Sequence, residues 1–291
     1  MIEQEKPSSP LLTYLSLAAG VICIGTSAIF VKSANVPGIV SAFYRVLIAS
    51  IILVPWRLAK QSRIPAWKDM RLIALGGLFF ALDLVLWNSG LLLTSAATAT
   101  LLANNAPLWV GLGALLLFRE QLPGKYWLGL TLSITGMAVI IGSDAWRELR
   151  WNSGDMLAFG ASFFYAAYLL TTQKARIHVD TLTFNALSMT TAVIILFPLN
   201  LIAGAALYGF ETKTWLALLG LGLVSQLGGW LAINYALGHL RAAHVSVSLL
   251  GQVVVTAILG MLILSEAVGM NQVVGGGLVL SGIYLANQRK T

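Results

Sequence analysis

Ten long apolar runs constrain this chain more than any other feature of its sequence. A bilayer core about 30 Å thick needs about 20 apolar residues in a helix, because no water is present there to bond the backbone. Only 10% of the residues are charged, against about a quarter in a typical soluble domain. The sequence therefore predicts a multi-pass membrane protein. The runs lie near 12–31, 38–57, 71–91, 95–118, 125–143, 154–173, 183–207, 214–237, 242–264 and 270–288.

The runs have the pattern of helices. Val46 to Pro55 is apolar on both faces, whereas membrane β-strands alternate apolar and polar residues. Ten spans leave roughly 90 residues for tails and loops, which excludes a soluble catalytic domain. The single cysteine, Cys23, cannot close an intrachain disulfide. The predicted fold class is an all-α membrane protein with ten transmembrane helices.

The basic residues indicate a topology. The net charge is +7 and the pI is about 9.7, but 13 of the 18 basic residues fall on one side if both termini lie there. They are Lys6, Arg57, Lys60, Arg63, Lys68, Arg71, Arg119, Lys125, Lys174, Arg176, Arg241, Arg289 and Lys290. By the positive-inside rule both termini are cytoplasmic, and nucleic acid is not needed to explain the charge.

The two halves of the chain resemble each other. An offset of 146 residues pairs Asn88 with Asn234, Glu120 with Glu266, Gly129 with Gly275 and Gly136 with Gly282. Each unit contains five spans, and an odd number forces the two copies to face opposite ways, as in many transporters. We predict a cytoplasmic tail at 1–11, a first five-helix repeat at 12–143 and an inverted repeat at 154–288, surrounding a central cavity.

The paired glycines predict close helix packing. Gly129 and Gly136 are seven residues apart, as are Gly275 and Gly282, so each pair lies on one helical face. Small residues on one face let membrane helices approach closely. We assign these four glycines to close helix packing in the fifth and in the tenth span.

Two ionisable side chains lie deep in the runs, where each costs roughly 2.5 to 3.5 kcal/mol on insertion scales. Arg45 lies seven residues after Gly38, and Asp83 lies seven residues before Gly90 on a span of opposite direction. Both are therefore about 10 Å below the same outer boundary and should face each other. Either they form a structural intramembrane ion pair, or one of them meets a charged group of a substrate. If they pair, no mid-membrane carboxylate is left for a proton, which favours facilitated diffusion.

The fourth run predicts a break near its centre. Pro107 frees the carbonyl of Ala103, so the helix should kink there. Asn104 and Asn105 precede the proline, and the matching part of the other half contains Gly251 and Gln252. Matching breaks in two repeats indicate a transporter site. Binding of a substrate and bonding between helices both remain open as roles for the asparagines.

Polar stripes and interior aromatic residues complete the candidate site. His244, Ser248, Gln252 and Thr256 are each four residues apart, as are Gln226, Trp230 and Asn234. Such stripes should turn away from lipid, toward a neighbouring helix or a cavity. Aromatic residues inside the runs would suit a partly apolar ligand, although core packing is open for each. The predicted substrate-binding residues are Tyr44, Phe79, Asp83, Trp87, Asn104, Asn105, Trp109, Tyr165, Tyr168, Trp230, Asn234, Ser248 and Gln252.

The sequence contains no pattern for metal or nucleotide chemistry. His239 and His244 are five residues apart, about 140° around a helix, and would not converge on a metal. Neither HExxH nor GxxxxGK[ST] occurs. We expect no metal, no cofactor and no enzymatic activity. A lipid-modifying enzyme would need a convergent His/Asp or Cys pair, which Cys23, His178, His239 and His244 do not offer.

The order of these features resembles a known family. The runs group as five plus five, an arginine stands in the second run between Phe43 and Ala49, and Glu120 and Glu266 are each followed by a glycine-rich run. Over nearly its whole length the chain resembles the EamA-type branch of the drug/metabolite transporter superfamily, and within it the bacterial aromatic amino-acid exporters of the YddG type. The resemblance implies a basket of helices around a central cavity, in the bacterial inner membrane.

We therefore predict a carrier that exports amino acids or similar small metabolites by alternating access between the repeats. Phosphorylated substrates are disfavoured, because phosphate sites concentrate basic groups and only Arg45 is deep. A zwitterion with an apolar or aromatic side chain fits better. The alternative is efflux of drugs or other uncharged metabolites. The expected partners are the small-molecule substrate and the lipid bilayer, and one chain should suffice for transport. A purely structural membrane partner would not need polar groups at matching depths.

Overall fold

The computed structural model describes residues 9–60, 64–94, 96–142, 150–264 and 270–288. Every regular element within these ranges is a helix, as predicted. The predicted cytoplasmic tail lies outside them up to residue 8, and so does Glu266. The helices are α1 (Pro10–Gly25), α2 (Ser27–Ala34), α3 (Gly38–Ala59), α4 (Trp67–Leu93), α5 (Ala96–Ala103), α6 (Ala106–Leu117), α7 (Gly124–Ile141), α8 (Ser153–Ala175), α9 (Thr181–Ile202), α10 (Thr212–Gly220), a π-helix (Leu221–Trp230), α11 (Leu231–Leu237), α12 (Ala242–Leu249), α13 (Gly251–Leu264) and α14 (Met270–Ala286).

The described residues contain eight segments long and apolar enough to cross a membrane. They are Pro10–Ala34, Gly38–Ala59, Trp67–Leu93, Thr98–Leu117, Gly124–Ile141, Thr181–Ile202, Thr212–Leu237 and Ala242–Leu259. The chain is thus a multi-pass membrane protein. The other two predicted spans are also helical, but α8 is not among the eight and α14 is a shorter apolar helix. The count of ten spans stays a prediction.

Three of these segments are interrupted. The first changes from α1 to α2 at Thr26, and the segment before Glu120 is broken at Asn104 and Asn105. Pro107 is in the first turn of α6, directly after that break. The segment from Ala242 is broken at Leu250, between α12 and α13, which is the position 146 residues after Asn104. The two matching runs are therefore broken at the same place.

Contacts between helix ends define two faces of the bundle. On one face, which we call the Asp155 face, Thr94 at the end of α4 donates to Asp155 Oδ1 at 2.7 Å, and Thr214 donates to Ala34 O at 2.9 Å. Asp155 also belongs to the capping box that begins α8. On the other, the Glu120 face, Gln173 near the end of α8 donates to Glu120 Oε1 at 3.0 Å.

The helices of the two halves pack reciprocally. α1 packs against the π-helix and α11, while α4 packs against α8. α3 contacts the π-helix and α4 contacts α9, while α3 with α9 and α7 with α14 pair directly. Exchanging the predicted repeats converts each of the first four contacts into another of them and leaves the last two unchanged, which is the pattern expected of two halves related by a twofold axis.

The predicted glycine packing is confirmed. A Cβ atom at Gly129 would lie 2.5 Å from Gly282 O, and a Cβ atom at Gly136 would lie 2.7 Å from Gly275 O. The backbones of α7 and α14 touch, so only glycine fits. Position 129 pairs with 282 and position 136 with 275, so exchanging the two predicted halves turns one pair into the other.

Replacing Gly282 by alanine should destabilise the protein, because the new Cβ atom would lie 2.5 Å from Gly129 O and 2.6 Å from Ser133 N. Overpacking of this kind costs about 1 to 3 kcal/mol. The thermal midpoint of the detergent-solubilised protein measures the effect. Gly277→Ala on the same helix is the control, since nothing lies within 4 Å of a Cβ atom there. Equal midpoints for the two variants would contradict the packing assignment.

Candidate functional site

A cavity of about 90 Å³ lies between the two halves. This volume holds several water molecules. The lining combines two charged side chains, five amide or hydroxyl side chains in or near the broken helices and three aromatic rings. The lining residues are Ile24, Gly25, Ser27, Ala28, Arg45, Asp83, Leu84, Trp87, Thr100, Ala103, Asn104, Tyr165, Trp230, Gln252, Val253 and Thr256.

Arg45 brings the positive charge to this cavity. It is 3% exposed on α3, and its Nε donates to Gln226 Oε1 at 2.8 Å. The Gln226 amide nitrogen lies 2.9 Å from Met189 Sδ, which fixes the amide orientation. Among the described residues no hydrogen bond from its two terminal guanidinium nitrogens is found, so Arg45 is held there by its Nε.

Asp83 brings the opposite charge. It is 8% exposed on α4 and lines the same cavity. Within the described parts of the chain, no ion pair under 4.0 Å joins Asp83 and Arg45. The direct ion pair that the sequence predicts is thus not found among the described residues. The two groups line one cavity, and the Nε of Arg45 is bonded to Gln226.

The two helix breaks meet in the cavity. Gln252 Nε2, just after the break at Leu250, donates to Asn104 Oδ1 at 2.9 Å. Asn104 Nδ2 donates to Thr100 O at 2.8 Å, and Thr256 Oγ1 donates to the carbonyls of Gly25 and Gln252. The Gln252–Asn104 bond thus joins the two broken helices at the cavity.

Trp230 forms the aromatic wall of the cavity. Its ring contacts Phe80, Tyr165 and Tyr168 edge to face, at centroid distances of 4.9, 5.7 and 5.1 Å. Trp87 lines the cavity as well. Edge-to-face pairs hold rings in defined orientations, so Trp230 presents a fixed apolar surface to a ligand.

Seven of the predicted binding residues lie outside this lining. Two of the seven, Tyr168 and Asn234, bond to each other: Asn234 Nδ2 donates to the Tyr168 hydroxyl at 2.7 Å and to Asn185 Oδ1 at 2.8 Å. Asn105 donates to the carbonyls of Leu101 and Leu102 in the preceding helix α5, and Ser248 donates to His244 O. Each bond gives a buried polar group a partner between or within helices.

The remaining three are aromatic residues on other surfaces. Tyr44 donates to Leu207 O and contacts the Trp215 ring at 5.1 Å. Trp109 stacks on Phe163 at 4.1 Å and donates to Ser162, and Phe79 packs near Phe164. These rings pack with aromatic neighbours at other depths or on other sides of their helices, which spacing along one run does not show.

Ser27, Ala28 and Thr100 belong to the lining but not to the predicted site. Ser27 begins α2 directly after the break at Thr26, and the Thr26 hydroxyl lies 2.9 Å from that of Ser225. The Gly25-Thr26-Ser27 cluster inside an apolar run was the signal for this break.

The predicted absence of a metal site concerns His239 and His244. Each Nδ1 lies 2.9 Å from a backbone carbonyl, of Tyr235 and Ala286 respectively. Among the residues that the structure describes, no three His, Cys, Asp or Glu side chains come together as metal ligands would.

The chain is similar to known transporters. The model of the EamA-like transporter family matches it twice, at residues 11–142 and 152–288. An uncharacterised transporter of Archaeoglobus fulgidus is 28% identical over 96% of this chain and 98% of its own length. A probable terminal-alkyne amino-acid exporter of Streptantibioticus cattleyicolor is 27% identical over 84% of this chain and 82% of its own. One crystal structure has the same fold, with a TM-score of 0.78 and 19% identity over 96% of this chain and 97% of that one.

Proposed function

The chain belongs to the EamA-like transporter family, and from this premise we propose that it exports amino acids with apolar or aromatic side chains by alternating access at the Arg45–Asp83 cavity. Family and relatives point to a transporter rather than an enzyme. We also propose that, within this family, the chain is most similar to the YddG-type exporters. The similarity to a probable amino-acid exporter supports the substrate class.

The observation that carries the proposal is the pair of separated opposite charges in one cavity. Arg45 and Asp83 are the charged residues of its lining, so the lining is neutral as a whole but strongly dipolar. An α-amino acid has the same property, with a carboxylate for Arg45 and an ammonium group for Asp83. A molecule with only one charge would leave the other protein charge without a partner, which is costly at this depth.

We propose a role for each group of the cavity. The terminal nitrogens of Arg45 form charge-assisted hydrogen bonds to the substrate carboxylate, and Asp83 accepts from the ammonium group. Trp230 and Trp87 bound the space for the side chain, and apolar contact with them favours aromatic and aliphatic substrates. The Asn104–Gln252 bond joins the halves across the site.

Alternating access follows from the inverted repeat, which we keep as part of the proposal, with boundaries at 12–143 and 154–288 and ten spans in all. Both halves contain a broken helix at the cavity, and breaks give a membrane helix two parts that can move separately. Reciprocal packing lets each half take the position of the other, so the site opens to one side at a time. One chain contains both halves and suffices.

The basic residues support an orientation. Lys68, Arg71, Lys125, Lys174 and Arg241 lie at helix ends of the Glu120 face, while Arg150 and Lys213 lie at the Asp155 face. By the positive-inside rule the Glu120 face is cytoplasmic. Both termini are then cytoplasmic and the membrane is the bacterial inner membrane.

We further propose facilitated diffusion rather than proton coupling. Arg45 balances the charge of Asp83 in the empty cavity and the ammonium group balances it in the occupied one, so no step needs a proton. Uphill export driven by a pH gradient and lost only in Asp83→Asn would overturn this part of the proposal.

Proteoliposomes loaded with unlabelled phenylalanine test the function. We expect saturable uptake of labelled phenylalanine that is faster than in vesicles without internal amino acid, because a carrier exchanges bound substrate. Gly277→Ala protein, with the substitution on the outer side of α14, should behave as the wild type. Uptake of uncharged aromatic compounds without amino-acid exchange would favour the alternative, efflux of uncharged metabolites, and no flux of either kind would contradict the transporter proposal.

A further inference from the structure

Glu120 joins three segments of the chain at one face of the bundle. The residue follows the end of α6, where Arg119 has a left-handed backbone with φ of 53° and the Glu120 N–H donates to Ala114 O at 3.0 Å. This turn points the carboxylate back across the other half of the molecule. There Glu120 Oε1 accepts from Gln173 Nε2 of α8 at 3.0 Å.

Gln173 extends the connection to the helix of the second break. Its Oε1 accepts from the backbone N–H of Ala242, the first residue of α12. Arg241, the residue before it, has its Nε 3.9 Å from Glu120 Oε2. One carboxylate and one amide thus connect the loop after α6 with the end of α8 and the start of α12.

The second carboxylate oxygen is in an unusual environment. Glu120 Oε2 is buried and has no hydrogen-bond partner, and the side chain of Arg241 beside it is 56% exposed. A buried charged oxygen without a hydrogen bond is under-solvated. Separation of these segments would let water reach Oε2, whereas the hydrogen bonds of Gln173 and the Arg241 contact stabilise the closed arrangement.

The cluster lies at the face of the bundle that is farther from the cavity. Gln173 is eight residues beyond Tyr165 on α8, and Ala242 is ten residues before Gln252, which places the cluster about 12 to 15 Å from the site. In contrast, Trp87 is only six residues from the end of α4 at the Asp155 face, about 9 Å. Between the cavity and the Glu120 face lie fully buried side chains, among them Tyr168, Asn185 and Asn234.

We propose that Glu120, Gln173 and Arg241 form the gate that closes the substrate site toward the Glu120 face. This inference rests on the proposed function for its meaning, but its geometry is independent of the substrate. The three segments it ties belong to both predicted halves, and α8 and α12 contribute residues to, or lead directly into, the cavity. Opening at this face requires the Gln173 hydrogen bonds and the Arg241 contact to be released together.

Cysteine accessibility tests the gate without any transport measurement. A single cysteine is placed in the cavity by Thr100→Cys in a Cys23→Ser background, and a membrane-impermeant thiosulfonate is added to one side of membrane vesicles at a time. Lys125→Cys, at an exposed position in the first turn of α7 on the Glu120 face, identifies which preparation presents that face. We expect Glu120→Ala to raise the labelling rate of residue 100 from the Glu120 face about tenfold, the factor that one lost net hydrogen bond gives.

Matched variants separate gating from misfolding. Gln173→Ala should produce a similar increase, and the double variant Glu120→Ala/Gln173→Ala should not exceed the larger single effect by much, because both remove the same connection. Glu211→Gln changes an exposed carboxylate at the opposite face and should leave the labelling rate unchanged. Glu120→Gln should change the labelling rate only slightly, because its side-chain oxygen can still accept the hydrogen bond from Gln173. A rate from the Glu120 face that stays at the wild-type level in Glu120→Ala protein of unchanged thermal midpoint would overturn the gate.

The two proposals fail in different ways. Increased accessibility without amino-acid exchange in the parent protein would keep the gate and reject the amino-acid substrate. Amino-acid exchange together with unchanged accessibility in both Glu120→Ala and Gln173→Ala would keep the function and reject the gate.

Discussion

Asp83→Asn should lower phenylalanine exchange by about 10- to 100-fold, the loss expected when a hydrogen bond to a charged group disappears. The carboxylate accepts from the substrate ammonium in our proposal, and the asparagine amide of nearly the same shape carries no charge to balance it. Initial rates of exchange in proteoliposomes with equal amounts of reconstituted protein measure the effect.

Two comparisons make the Asp83 result specific. Asp69→Asn is the same substitution near the Glu120 face, where Asp69 Oδ1 lies 3.7 Å from His178 Nδ1, and it should leave exchange near the wild-type rate. Phenylpropionate, which lacks the ammonium group, should gain relative to phenylalanine in Asp83→Asn protein. Equal exchange rates in the wild type and Asp83→Asn would show that Asp83 does not bind the substrate.

Arg45→Gln should reduce both stability and exchange. The glutamine amide can still reach Gln226, but Asp83 then remains as a buried charge without a counter-charge in the cavity lining. Removing one partner of a directly bonded buried pair costs 3 to 5 kcal/mol, and for these separated groups we expect about 2 kcal/mol. For a protein of this size that lowers the thermal midpoint by about 4 to 8 °C.

The double variant Arg45→Gln/Asp83→Asn separates the effect on stability from the effect on exchange. It has no unbalanced charge, so its thermal midpoint should return to near the wild-type value, while phenylalanine exchange stays at the background level. A double variant as unstable as Arg45→Gln would mean that Arg45 stabilises the fold through Gln226 rather than through Asp83. A stable double variant with normal exchange would contradict zwitterion binding.

In the eighth predicted run, residue spacing alone does not identify which side chains lie at the cavity. Gln226, Trp230 and Asn234 are four residues apart and would share one face of a regular α-helix. The first two belong to the π-helix, whose bonds run from i to i+5 and rotate each residue less than an α-helix does. Trp230 lines the cavity and Gln226 bonds to Arg45 beside it, while Asn234, in α11, bonds to Tyr168 and Asn185 away from it.

In the ninth run, by contrast, the residue that the matching break predicts does line the cavity. Gln252 was predicted from its position opposite Asn104 in the repeat, and the two side chains bond to each other. Depth along a span follows from residue counting alone, because the rise per residue is constant. Arg45 and Asp83 were placed at the same depth by that counting and line one cavity.

The amino-acid sequence by itself determined that this protein lies in a membrane and is helical, and it determined the depth of its charged groups and the glycine faces of α7 and α14. These properties follow from hydrophobicity and helical spacing, which are local. Only the tertiary structure decided that Arg45 bonds to Gln226 rather than to Asp83, that Tyr168 and Asn234 pair away from the cavity, and that Glu120 reaches Gln173 and Arg241. Such partners are chosen by the rotation and packing of helices against one another, and the spacing of residues along one helix contains no information about its neighbours.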